Sequence, residues 1–151
     1  MFRPGESVAE GEIIKIDNKY WLFYNFNYDD FNPKGYLELC NEVFKVQIDT
    51  EKEIVGEDDL GRPIYDETPI YHETRCVARG QLLNTRMNKD DPINLPDGRI
   101  NVAIPYVENN GVEVGVEFTI FDNKYKIRDI DFSNVLDGIG IIKFIAERQQ
   151  N

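Results

Sequence analysis

Val112-Glu113-Val114-Gly115-Val116-Glu117-Phe118-Thr119-Ile120 puts an apolar side chain at every second position and a polar or small one between. In extended chain, successive side chains point to opposite faces, so the pattern predicts a strand with one buried and one wet face. Asp122-Asn123 follows, two residue types that tolerate the positive φ of a tight hairpin turn. A second strand is read from Tyr125. Its apolar phase slips between Ile127 and Ile130, which predicts a bulge near Arg128-Asp129. A further strand, Ile139 to Ala146, follows Gly138-Ile-Gly140.

Working outward, the N-terminal part reads the same way. Glu12 to Ile16 is a strand, Asp17-Asn18 a turn, and Tyr20 to Phe26 a strand with large groups on both faces. Tyr20, Leu22, Tyr24 and Phe26 share one face, Trp21 and Phe23 the other. A strand covered on both sides is central in a barrel or lies under a neighbouring chain. A loop from Asn25 to Gly35 leads to a strand read from Tyr36 to Ile48, whose change of phase near Asn41-Glu42 again predicts a bulge. The turn blocks Asp17-Asn-Lys-Tyr20 and Asp122-Asn-Lys-Tyr125 match at a fixed offset, which shared turn chemistry explains better than duplication does.

The middle of the chain carries strands from Ile70 to Leu83 and from Ile100 to Val107. Glu51 to Thr68 and Arg86 to Gly98 are rich in turn formers and are expected to be long polar loops. Helix is a minor component at most, around Ser133 to Leu136. The expectation is all-β: residues 1–151 as a single bulged barrel or sandwich of seven to eight strands, with long loops 51–68 and 86–98.

Composition narrows the function. Acidic residues outnumber basic ones 28 to 17, for a formal charge of −11, so binding of nucleic acid or anionic lipid by charge is not expected. No apolar run is long enough to span a membrane, and no signal peptide is read at Met1-Phe-Arg-Pro-Gly5, so the chain is expected to be made and kept, or assembled, in a cytoplasm. Cys40 and Cys76 lack the spacing of a metal or redox pair and read as free thiols. His72 is the one histidine; with Ser7 and Ser133 in no nucleophile context, it completes neither a triad nor a metal site. The acid pairs Asp29-Asp30, Asp58-Asp59 and Asp90-Asp91 fit no calcium loop and read as solvated. No catalytic residue, metal or cofactor is assigned, and the chain is not expected to be an enzyme.

The informative excess is aromatic: Tyr20, Trp21, Phe23, Tyr24, Phe26, Tyr28 and Phe31. One face of this stretch belongs in a core; the sharper reading is a subunit interface, where aromatics are enriched, and a sugar-stacking platform is the third. The stretch Leu22-Phe-Tyr-Asn-Phe-Asn-Tyr-Asp-Asp-Phe-Asn-Pro-Lys-Gly35, with Asp122-Asn-Lys-Tyr-Lys-Ile-Arg-Asp-Ile-Asp131 and Gly138-Ile-Gly-Ile-Ile-Lys-Phe144, resembles small neck proteins of tailed bacteriophages, of the head-closure or head-completion type. The resemblance implies a small bulged barrel working as a ring between portal adaptor and tail, in the virion, assembled in the host cytoplasm. Its partners would be copies of itself and the portal, adaptor and tail proteins, with DNA passing through without sequence-specific binding and with no membrane contact. Tail terminator, tail and baseplate subunits share that style. On this reading Leu60, Ile64, Ile93 and Leu95 join the aromatics as interface residues, and Asp58, Asp59, Asp90 and Asp91 lie at acidic loop tips toward a partner or the lumen. The alternative from another class is a carbohydrate- or calcium-binding β module.

Overall fold

The computed structural model describes residues 9–27, 34–80 and 98–149. The fold is all-β, with ten strands and no helix among the described residues. β1 (Ile13–Ile16), β2 (Lys19–Asn27) and β3 (Lys34–Leu39) form an antiparallel sheet with β2 in the centre. The larger sheet holds β4 (Glu42–Glu57), β5 (Pro63–Gly80), β6 (Arg99–Pro105), β7 (Glu117–Ile120), β8 (Asn123–Asp131), β9 (Val135–Leu136) and β10 (Ile139–Arg148). Its order is β4-β5-β6-β10-β8-β7, with β9 paired to the start of β10. β7 comes back against β4, where the Phe44 and Phe118 rings meet at 5.2 Å, so the sheet is a nearly closed barrel.

The barrel interior is built from every second residue of its strands. Phe44, Phe118 and Phe144 meet at tilted or edge-on angles, with Ile100, Val102, Ile104, Ile127, Ile142 and Ala146 around them. Edge-to-face rings avoid stacking their negative faces. The outer wall is apolar too where β5, β6 and β10 run side by side. Val77, Ala103 and Ile141 face outward and are covered by Leu22 and Tyr24 of the small sheet. This explains the large residues on one side of β2. Tyr20, Leu22 and Tyr24 face the barrel wall, with the Arg75 guanidinium 4.2 Å from the Tyr20 ring centre. The two sheets also touch at backbone level. Gly11 and Gly140, with φ of +90° and +145°, lie so close that a Cβ on Gly11 would collide with the Gly140 carbonyl, while one on Gly140 would collide with the Asn134 carbonyl.

Several expected boundaries move. The run Val112 to Ile120 is strand only from Glu117; before that the chain turns at Val114-Gly115, where Gly115 has φ +92° and Val114 is 66% exposed. The β7–β8 turn is Phe121-Asp122, not Asp122-Asn123: Ile120 pairs with Asn123, and Phe121 and Asp122 take φ of +52° and +58°. The Asn123 amide donates to the Phe121 carbonyl and holds this phase at 2.9 Å. Asp17-Asn18 is the β1–β2 turn as read, so the two similar blocks place their Asp-Asn pairs differently. No helix forms at Ser133 to Leu136. The Asp131 carboxylate accepts the Ser133 N–H at 2.8 Å, and Asp137-Gly138 closes a two-residue hairpin between Leu136 and Ile139. The bulge near Arg128-Asp129 is present, Arg128 being the extra residue between Ile127 and Asp129.

The strand expected from Tyr36 to Ile48 is two strands in different sheets. The phase change near Asn41 marks a switch of sheet rather than a bulge. The Asn41 amide donates to the Ala78 carbonyl at 2.7 Å and its oxygen accepts the Ala78 N–H at 2.8 Å, doing for one residue what a ladder does. Glu51 to Thr68 is not a loop either: it is strand except for the turn Asp58 to Arg62. The expected loop Arg86 to Gly98 lies outside the described residues up to Gly98.

Candidate functional site

Beyond the barrel, β4 and β5 continue as a two-stranded ribbon with no third strand on either edge among the described residues. Every residue from Glu51 to Tyr71 is exposed except half-buried Asp58. Ile54, Val55, Leu60, Ile64, Tyr65 and Tyr71 stand 46–76% exposed. The tip is rigid by local chemistry. Asp58 accepts the N–H groups of Leu60 and Arg62 at 2.9 and 2.8 Å and the Arg62 Nε at 3.0 Å. These bonds, the Arg62 backbone one foremost, hold its carboxyl below the ordinary value. Asp58 therefore shapes the turn, while Asp59 and Leu60 stay exposed beside it.

At the opposite end of the barrel, register assembles a row that no single segment contains. Arg99 pairs with Glu147, Glu147 with Lys126, and Lys126 with Glu117 across β6, β10, β8 and β7. Lys124 and Arg128 lie on the same outer face of β8, because Tyr125 and Ile127 point into the core. Arg99 and Arg128 share the Glu147 carboxylate at 3.0 and 2.9 Å, and Lys124 reaches Glu117 at 3.0 Å. Lys124 foremost holds the Glu117 carboxyl below its usual value. Four cations thus face two carboxylates on a chain of net charge −11.

A cleft of about 360 Å³ lies where the small sheet meets the barrel wall. Tyr24 and Tyr36, cross-strand partners, stack with ring centres 4.8 Å apart; Lys143 lies over Tyr24, and Arg79 reaches Glu38 at 3.4 Å. Burial, then the nearby Glu38 charge, pushes the Tyr24 hydroxyl well above its ordinary pKa. Asp131, on the cleft's other side, is held low by its hydrogen bonds to Ser133. Asn101, Asp129 and Lys143 add polar groups to the lining.

The remaining expected residues separate. Tyr24 is buried inside the chain; Tyr20, Trp21 and Phe23 are half-buried. The side chains of Phe26, Tyr28, Phe31, Asp90, Asp91, Ile93 and Leu95 lie outside the described residues. Cys40 and Cys76 are free; burial foremost pushes their thiols up to about 11 and about 12, where they are poor nucleophiles. His72 is half-buried on β5 with Nε2 sealed from solvent and unpartnered, and burial lowers its pKa. No group of three metal-ligating side chains occurs among the described residues. Sequence reading missed the basic row, whose members are 48 residues apart at the extremes of one ion pair. It also missed the second apolar face, signalled by unbroken apolar runs at Cys76-Val-Ala78 and Val102-Ala-Ile104.

Fold and site define a small β-barrel protein with an accessory sheet on its wall and an unpartnered two-stranded ribbon. The chain belongs to the YomX C-terminal domain family, whose model matches residues 41–147. It is 26% identical over 147 residues to the SPbeta prophage-derived protein YomX of Bacillus subtilis (strain 168), a match covering 94% of this chain and 67% of that one. No solved structure matches the chain. Together the two matches support a phage-derived protein. The family match begins at Asn41, where the chain leaves the small sheet, so the family unit coincides with the barrel.

Proposed function

We propose that the protein is a structural subunit of a bacteriophage particle that assembles with copies of itself into a ring of the head-tail connector, in the head-closure position. The observation that carries this reading is the β4–β5 ribbon. A two-stranded hairpin is marginal in water on its own, and this one exposes apolar groups along some twenty residues with nothing among the described residues to cover them. A neighbouring subunit would supply the cover. In this role the protein is not an enzyme and takes no cofactor; it meets portal, adaptor and tail proteins above and below. Its acidity suits a passage through which DNA slides without being gripped. Light scattering and negative-stain images of the purified protein test the reading, together with immunogold labelling of virions. Rings, and label at the neck, support it; a protein that stays monomeric and is absent from particles sinks it.

The cleft favours a second reading, a glycan-binding module, because stacked Tyr24 and Tyr36 lie among polar groups suited to hydroxyls. Saccharide binding lost on Tyr36→Ala would move the function there.

A further inference from the structure

The ribbon has two unlike faces. Between the register shifts at Ile48 and Val55, Thr50–Pro69, Lys52–Glu67 and Ile54–Tyr65 are cross-strand pairs on one face, and Asp49–Ile70, Glu51–Thr68 and Glu53–Asp66 on the other. The first face balances its charge, with Lys52 Nζ 3.5 Å from Glu67. The second carries Asp49, Glu51, Glu53 and Asp66 with no cation, and sets Glu53 directly opposite Asp66. Like charges in that position repel across the strands. The repulsion weakens the ribbon of an isolated chain, whose edges carry no further strand among the described residues.

Register shows where the matching surface lies. β5 runs from the ribbon tip to Gly80, and Gly80 pairs with Ile100. Arg99 and the row through Glu147 and Lys126 therefore stand at the barrel end remote from the ribbon. One carboxylate, Glu147, serves two guanidiniums there, so the row keeps attraction to spare for anions.

We infer that the acidic face of one copy's ribbon docks on the Arg99, Lys124, Lys126 and Arg128 surface of the next copy, head to tail. This rests on the self-assembly proposed above and names one contact of it, on the face opposite Ile54 and Tyr65. The occupant is a second copy because the charges complement and because the two surfaces sit at opposite ends of one barrel. A copy that offers its ribbon forward leaves its row free for the one behind. Such a contact is heterologous, and it makes a ring when the rotation per subunit closes. Its strength falls with salt, since most of the attraction is between surface charges.

The test uses the full chain in three variants: Glu53→Lys with Asp66→Lys, Lys124→Glu with Lys126→Glu, and all four together. Light scattering at low and high salt reads assembly, and melting curves confirm that each variant folds. The wild type assembles at low salt and loosens at high salt. Each double variant binds its neighbours about tenfold or more weaker, and the quadruple variant regains assembly because the charges are exchanged rather than lost. Assembly that survives both double variants, ignores salt, or is not restored in the quadruple variant overturns the contact while leaving self-assembly standing. A wild type that is monomeric at both salts overturns the self-assembly reading and this contact with it.

Discussion

Asn41 sits where the chain passes from the small sheet into the barrel, and its side chain stands in for a ladder rung against Ala78. Asn41→Ala removes both bonds while leaving the Ala78 groups part-buried. At about 1 kcal/mol per bond, the loss is about 2 kcal/mol, readable as a lower midpoint in urea with unchanged slope. His72 supports a prediction about pH. Its pKa is lowered in the folded chain, so the unfolded chain takes up a proton first as pH falls. The stability tied to neutral His72 is complete above the unfolded value of about 6.5 and is lost as pH drops toward the folded value. Melting temperature should fall between pH 7 and pH 5.5 in the wild type, and His72→Phe should flatten that slope. Asp58, Glu117 and Asp131 act in a separate window. Their pKa values are lowered, so their contribution disappears only at more acidic pH. Of these residues, His72 was legible as a strand position from the pattern around it, while its sealed, unpartnered Nε2 was not. The role of Asn41 was not, since its partner lies 37 residues away.

The β4–β5 hairpin behaves as two pieces joined end to end. From Glu42 to Val46 it is barrel wall; from Glu51 onward it is an exposed arm. Joining the strands by a short turn in place of residues 51–68 should therefore leave the melting temperature of the monomer nearly unchanged and abolish assembly in light scattering. A large fall in melting temperature would mean that the arm supports the barrel. The strand character of this stretch was hidden by its composition. Glu51, Glu53, Asp66 and Glu67 are weak strand formers, and the arm has no buried face to impose a period of two. The same logic explains why β8 and β10 were legible: each has one face in the barrel core, so Tyr125 and Ile127, or Ile142, Phe144 and Ala146, are buried at every second position while Lys126, Lys143 and Ile145 between them are half-buried. Val112 to Val116 misled for the opposite reason, since a chance alternation crosses the turn at Gly115.

The whole molecule is a barrel with an added sheet, and the family match covers the barrel alone. The shortened chain 41–149 should keep a cooperative transition at lower temperature and bind a hydrophobic dye that the full chain ignores, because Val77, Ala103 and Ile141 lose their cover. Failure of that segment to fold would make the small sheet part of the core. At this scale the all-β class was legible from alternation, whereas the division into two sheets was not. Nothing in Tyr36 to Ile48 except one change of phase betrays that its halves belong to different sheets.

The barrel's seam has a consequence for motion. The hydrogen-bonded path ends at β4 and at β7, and the two ends meet through side chains such as Phe44 and Phe118 rather than through a ladder. Parting them breaks no backbone rung. The least costly breathing mode of the wall is therefore a zip opening along this line, and the amides of β7, a four-residue strand held on one side only, should exchange with solvent sooner than those of β10, which is clasped on both.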